Sequence, residues 1–481
     1  MQRLIVLHTN DIHSHFEQMP GIAGVVGYYK QHYAPEELLV LDIGDHMDRS
    51  RVETEGTGGA ANIELMNLTG YEAVTLGNNE GLTFTREELR EAYEGRTRFP
   101  VLCANLTELE TGLPPAWVEP YRLVDKGGIR VALIGVTAAF SPFYEALGWA
   151  VSDPLDTVRE LTALLRPQAD LIVVLSHLGI REDEEMAGII PGIDCILGAH
   201  THHVLDPPLR IGGAAVCGAG KFGQYVGKAE FSFDRTTRRV SYTGGSCIEV
   251  DGFAGAPEPA ARAAAAIAAG RARGEAALGG VVAALDVPVP LEWHRESPLG
   301  NLLAAGLRRW TGAEIGLVNA GQLLAGLPAG PVTAATLHAI CPGPINPCSM
   351  LLSGRDLRRS LEECLLPAFT GKEIRGFGFR GKVLGTLAVS GLTIRYNPRG
   401  PEGNRITSIR VGDELLNEDK DYKVGTIDMF TFRIGYLSLS QGKDLQFQLP
   451  EFLRDVLAAE IQNPQALLES HNQNFIPIDG S

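Results

Sequence analysis

Short apolar runs separated by Gly-rich and polar turns organise the first half of the chain. They are Leu4 to Leu7, Leu38 to Ile43, Ala73 to Leu76, Val131 to Val136, Leu171 to Leu175 and Cys195 to Leu197. Near-continuous apolarity over so few residues is what a strand buried on both faces needs. The intervening segments are compatible with helices, so the pattern predicts an α/β unit to about residue 250, a largely central sheet covered by helices.

The pattern changes after Asp251. Pro257 and Pro259 precede the strongly helix-forming run from Ala260 to Ala269, which is followed by Gly270 and Gly274. This is read as an interdomain linker helix, with the first helix of a second domain as the rival reading. From about Val281 onward, helical patterns at Leu299 to Trp310 and Leu357 to Leu366 are joined by strand-like stretches at Leu392 to Tyr396 and Ile406 to Val411, an α+β unit. A chain of 481 residues exceeds what one core usually serves. The expected organisation is therefore a first domain over residues 1–252, a linker helix over 253–280 and a second domain over 281–481.

Residues suited to divalent cations follow five of the apolar runs. Asp11 and His13 stand two apart after the first, and a period of two puts both on one face if the chain is still extended. Gly44-Asp45 ends the second, Gly77-Asn78-Asn79-Glu80 follows the third, and Ser176-His177 follows Leu171 to Leu175. Gly198-Ala199-His200-Thr201-His202-His203 follows Cys195 to Leu197, again with imidazoles two apart. Singly, each has a structural explanation: a helix cap for Asp45, a turn for Asn78, a satisfied buried imidazole for His177. Jointly they point to a metal site, because sites in open α/β sheets assemble in the loops beyond strand carboxyl ends. Mixed carboxylate, amide and imidazole ligation suits Mn, Zn, Fe or Co.

The order D-x-H, G-D, G-N-x-E, S-H, G-x-H-x-H resembles the metallophosphoesterase (calcineurin-like) superfamily, and the whole chain resembles its 5′-nucleotidase family. The resemblance implies a four-layer αββα metal domain joined by a helix to a C-terminal specificity domain. It implies two divalent metal ions: one held by Asp11, His13 and His202, the other by Asn78, His177 and His200, with Asp45 bridging. Arg295-Glu296-Ser297-Pro298-Leu299-Gly300-Asn301-Leu302 is similar to the family's R-E-x-x-x-G-N-L segment, and Asn319-Ala320-Gly321 to the start of its N-G-G-x-x-R loop.

Two departures bear on mechanism. Asn79 and Leu82 replace the His-Asp pair that assists phosphoryl transfer, and an Asn cannot supply a proton from a cationic state. Leu324 replaces the Arg that contacts the anionic substrate. His46 and His203, each beside a ligand, and Glu80 are the nearest replacements by sequence for the missing acid. Asp45, Asn78, Asn79, His46 and His203 are thus the candidate catalytic residues. Arg295 could fork onto an anionic oxygen, Asn319 could hydrogen-bond it and Tyr436 could stack on a base, which makes these three the substrate-binding candidates.

The net charge of −16 disfavours a nucleic-acid backbone as partner, since that binding needs clustered Lys and Arg. No apolar run reaches the roughly 18 residues needed to cross a bilayer. The start of the chain lacks the pattern of a secretory signal, and seven cysteines without a C-x-x-C pair read as reduced, so a cytoplasmic location is expected. The reading is a two-metal hydrolase of phosphate esters or anhydrides whose partner is a small anionic phosphate substrate, a nucleotide by resemblance. The alternatives are a nucleotide pyrophosphatase acting on UDP-sugars, or a metal- and nucleotide-binding protein with impaired turnover.

Overall fold

A computed structural model describes residues 2–376 and 378–478, and divides into two compact units, residues 1–276 and 277–481. All six apolar runs of the first unit are strands, but they are shared between two sheets. One sheet has the order Arg239–Glu249, Tyr225–Asp234, Gln2–Thr9, Leu38–Asp42, Ala73–Thr75, Val101–Leu102, Val118–Glu119. The other runs Leu209–Ile211, Ala214–Gly218, Cys195–Gly198, Leu171–His177, Ile129–Thr137, Tyr121–Lys126. In each, parallel pairing joins the strands whose carboxyl ends carry the chemistry, and antiparallel strands close one or both edges.

The single central sheet read from apolar runs is corrected to two sheets packed face to face. Leu4, Val6, Leu39 and Leu41 of the first meet Val131, Leu133, Leu175 and Leu197 of the second in one continuous core. A second core lies outside the first sheet under the helices Met19–His32, Ala60–Thr69 and Arg86–Tyr93, and a third outside the second sheet under Pro154–Leu165 and Ile180–Ile189. The layers are helix, sheet, sheet, helix. A strand buried on both faces looks the same in sequence whether its second cover is a helix or another sheet, which is why the apolar runs did not distinguish them.

The Ala-rich segment is the helix Pro257–Ala277. Its buried stripe, Ala263, Ala266, Gly270 and Gly274, recurs at helical spacing and lies against the first unit. A Cβ on Gly274 would come within 2.3 Å of the Val52 carbonyl, so only glycine permits this approach.

In the second unit, the helix Pro298–Trp310 packs on a five-stranded sheet of order Leu387–Ser390, Ile315–Asn319, Asp421–Ile427, Pro347–Ser353, Lys443–Phe447. A four-stranded sheet joins Glu414–Leu415, Ile406–Val411, Leu392–Tyr396 and Phe475–Pro477. The expected helix at Leu357 to Leu366 occupies Gly354–Glu363 instead, capped by the Ser353 hydroxyl, which accepts from the Asp356 amide. Among the described residues no helix is long and apolar enough to cross a membrane.

Candidate metal centre

Two parallel neighbours, Gln2–Thr9 and Leu38–Asp42, deliver the first ligands, and their pairing continues past the strand ends. The Asp11 amide donates to the Gly44 carbonyl at 3.0 Å, His13 to Asp45 at 2.8 Å and Ser14 to His46 at 2.8 Å. The chain is not extended here, so the two-residue period expected for Asp11 and His13 does not operate. Asp11, His13, Asp45, His200 and His202 all have positive φ, between 48° and 70°. Left-handed backbone is costly for such residues, about 1–3 kcal/mol where the surroundings must enforce it, and its concentration at one place marks a functional site.

These bends gather six side chains into two groups, Asp11, His13 and His202, and Asp45, His177 and His200, each with its ligand atoms within 4.8 Å of one another. The imidazoles two apart in sequence are thereby divided between the groups. Asp45 faces both: its Oδ2 is 3.8 Å from His13 Nε2 and its Oδ1 is 3.4 Å from His177 Nε2. Asp11 Oδ1 lies 3.5 Å from His202 Nε2, 3.8 Å from His13 Nε2 and 3.9 Å from His177 Nε2. Asn78 opens the helix Asn78–Thr83 after the Ala73–Thr75 strand.

The donor set fits divalent cations on two observations. Asn78 Oδ1 and His177 Nε2 are buried without a hydrogen-bond partner, although buried polar atoms are almost always paired. His177 Nδ1 lies 2.7 Å from the Ile43 carbonyl and donates to it, which leaves Nε2 as the nitrogen turned toward the ligand group. The electrostatics agree. Burial lowers the basicity of His177, but Asp45 and then Asp11 outweigh it and raise its pKa to about 10, so the carboxylates draw positive charge to this spot. Burial raises the Asp45 carboxyl, yet His177 and His13 hold it below its ordinary range. For His13 and His200 burial dominates and favours the neutral imidazole.

Residues beside the candidate ligands hold these loops, and of them sequence reasoning singled out only Glu80, as an acid. Asn10 donates to Asp11 Oδ2 at 2.8 Å and to the Gly220 carbonyl at 2.7 Å, and accepts from the Ala219 amide. Phe222, itself at φ 60°, donates its amide to the Asp11 carbonyl and sets its ring 5.9 Å from that of His13. Ser14 Oγ accepts from the Asp48 amide and from Asn62. Glu80 is an anchor: its carboxylate accepts from the amides of Asp45, Met47 and Gly77, which leaves no face for acid catalysis. Burial first, then Asp45, raises its pKa to about 7. Only the short polar residues beside the ligands could have signalled this shell in sequence.

Of the remaining expected site residues, the structure corrects His46, Asn319 and Tyr436, each buried within its own unit. His46 is wholly buried against Asn62, and burial depresses its pKa to about 3, so it is neither exposed nor charged. Asn319 is buried in the second unit, donating to the Leu384 carbonyl and accepting from Gln322. Tyr436 is 0% exposed, stacked on Phe369, with its hydroxyl donating to the Gly385 carbonyl at 2.6 Å. Neither has a free polar edge or ring face for a ligand. His203 is exposed and bonded to Thr201, and Arg295 is exposed and paired with Glu292. Asn79 lies beside His13, and Leu82 packs on the core beneath the first sheet, where a carboxylate would be costly.

The calcineurin-like phosphoesterase family matches residues 4–204 and the 5′-nucleotidase C-terminal domain matches residues 279–433. The chain belongs to the metallophosphoesterases that carry a 5′-nucleotidase C-terminal domain, and is a hydrolase of phosphoric esters. It is 37% identical over 460 residues to the uncharacterized metallophosphoesterase YunD of Bacillus subtilis, covering 95% of this chain and 98% of that one. Its fold is shared with a 5′-nucleotidase precursor from Thermus thermophilus, at 24% identity and TM-score 0.59 over 100% of both chains. It is also shared with the NAD nucleotidase of Haemophilus influenzae, at 17% identity and TM-score 0.68 over 100% of this chain and 99% of that one.

Proposed function

We propose that this hydrolase works with two divalent cations, Mn, Zn, Fe or Co, on nucleotide-derived phosphate anhydrides and esters, and that it favours substrates with acidic leaving groups. The observation that carries this reading is the division of the Asp45 carboxylate, one oxygen toward each ligand group. Asp11, His13 and His202 would hold one ion, Asn78, His177 and His200 the other, with Asp45 shared. Such a pair supplies Lewis acidity toward a phosphoryl oxygen and an activated water at neutral pH.

The chain's own residues do the positioning. Glu80 and the Asn79 amide fix Asp45, the Ile43 carbonyl fixes the His177 tautomer, and Asn10 aims Asp11. Apart from the imidazoles that would ligate the cations, no side chain brought to the centre is a cationic acid able to protonate a departing alkoxide, since Asn79 stands where the family has its histidine, Glu80 is committed to three backbone amides and burial keeps His46 neutral. General acid assistance is typically worth about 10²–10⁴-fold, so alkoxide esters lose most from its absence. This favours anhydrides such as UDP-sugars and dinucleotides over nucleoside monophosphates. Arg295 is the exposed substrate-side cation proposed to meet the anion. Seven free cysteines, six of them buried, support a cytoplasmic location.

The experiment is phosphate and nucleoside release from mononucleotides, cyclic nucleotides, UDP-sugars and NAD, with each metal added to chelator-stripped protein. Hydrolysis of anhydrides in the presence of metal is expected. Metal uptake without turnover on any substrate would replace this reading with the binding-protein alternative.

A further inference from the structure

The Asn79 side chain bridges the loop of the bridging carboxylate and the loop of His13, and its hydrogen bonds are not those that a cation on His13 requires. Its amide nitrogen lies 3.2 Å from the Met47 carbonyl, which only a donor can face, and 2.9 Å from His13 Nδ1. Nδ1 therefore accepts, and a neutral His13 carries its proton on Nε2. That proton is directed at His202 Nε2, 3.3 Å away. Asn79, His13 and His202 thus form a run with one donor and one acceptor at each link.

A cation taken by Nε2 of both rings needs both nitrogens bare. His13 must then hold its proton on Nδ1, where the Asn79 nitrogen cannot accept it. Rotation of the amide by half a turn presents Oδ1 instead, and forfeits the bond to Met47. The other group needs no such rotation, because His177 Nδ1 already donates to the Ile43 carbonyl and its Nε2 faces Asp45.

We propose that Asn79 is a positioning residue for His13, and that its amide turns over as the Asp11, His13 and His202 group takes a divalent cation, which makes this group the weaker of the two. The proposal rests on the two-cation function above. Changes to the Asn79 side chain leave its backbone amide on Asp45 Oδ1, at 2.8 Å, so they act on one group and spare the other.

The test is Zn²⁺ titration of the chelator-stripped, full-length protein against a competing chromogenic chelator, with imidazole ¹⁵N spectra in which His13 is assigned through His13→Gln. Two equivalents of unequal affinity are expected, with His13 protonated at Nε2 before Zn²⁺ and at Nδ1 after. Asn79→Asp offers an acceptor without turnover and should tighten the weaker step by about 10–100-fold, the range typical of partners behind a ligand. Asn79→Ala only removes atoms, and should erase the Nε2–H preference of the stripped protein. Nδ1–H in the stripped natural protein, or a weaker step unchanged by Asn79→Asp, overturns the assignment of Asn79 alone. Failure to take up any Zn²⁺ overturns the two-cation function and this inference with it.

Discussion

The two units treat family motif residues in opposite ways. In the first, Asn78 Oδ1 and His177 Nε2 are buried without partners, and five candidate ligand residues sit in left-handed backbone. In the second, Glu296 accepts from Asn301 and from the amides of Asn474 and Phe475, while Asn301 also donates to the carbonyls of Ser470 and Asn472. Asn319 and Tyr436 are likewise spent on backbone carbonyls. A motif whose polar atoms are left unpaired at some cost is a site waiting for a ligand. One whose donors and carboxylate are spent on the chain itself is a clamp, here tying the helix Pro298–Trp310 to the C-terminal segment, with Ser297 Oγ and Asn301 Oδ1 left unpaired.

The sharpest break of this contrast is in the leaving group. Aryl phosphates and nucleotide anhydrides should be hydrolysed faster than alkyl monophosphates, by up to about 10²–10⁴-fold. Asn79→His with Leu82→Asp should narrow that gap, read as kcat/KM for both substrate classes at saturating metal. Equal rates in the unmodified protein would mean that another acid serves, with His203 the exposed imidazole to change first.

Asp45→Asn should lower hydrolysis by more than about 100-fold and reduce metal content, because it removes charge facing both groups. Two metals per chain with full activity would refute the shared role. In the second unit, Asn301→Ala should cost about 1–3 kcal/mol in denaturant unfolding through the lost hydrogen bonds of its amide nitrogen, whose two hydrogens serve three acceptors, with kcat/KM unchanged in the folded fraction. A selective loss of substrate binding would make Asn301 part of the site after all.

Asp428 sharpens the comparison, since its Oδ1 is one of several side-chain atoms of the second unit that are buried without a partner. Burial raises its pKa to about 7, above the unfolded value of about 4. The folded state then binds more protons between those values, so this group's contribution to stability falls as pH rises from about 4 to about 7. Asp428→Asn should remove that slope and gain on the order of 4 kcal/mol at pH 8 relative to pH 4, read from denaturation midpoints. Smallest of all, Tyr436→Phe should cost about 1 kcal/mol by unpairing the Gly385 carbonyl and leave KM alone. A raised KM would restore Tyr436 to the substrate site.

Much of the fold and of the candidate metal centre is legible in the residue order. The six apolar runs are strands because burial on both faces demands their composition, and the ligand types at their ends identify the centre because few other roles need so many donors at strand ends. The grouping of Asp11, His13 and His202 apart from Asp45, His177 and His200 was available only through family resemblance, since spacing suggested that each pair two apart acts together.

Sequence by itself determined the inventory: which side chains can ligate, which runs must be buried, and that Asn79 and Leu82 replace a proton-donating pair. Tertiary structure alone decided direction. Left-handed turns at Asp11, His13, Asp45, His200 and His202 aim ligands that an extended chain would aim otherwise, while packing turned Tyr436 and Asn319 inward and made Glu80 an anchor. The physical reason is that ligation and hydrogen bonding depend on where an atom points within a few tenths of an ångström, and that is fixed by contacts between segments remote in sequence.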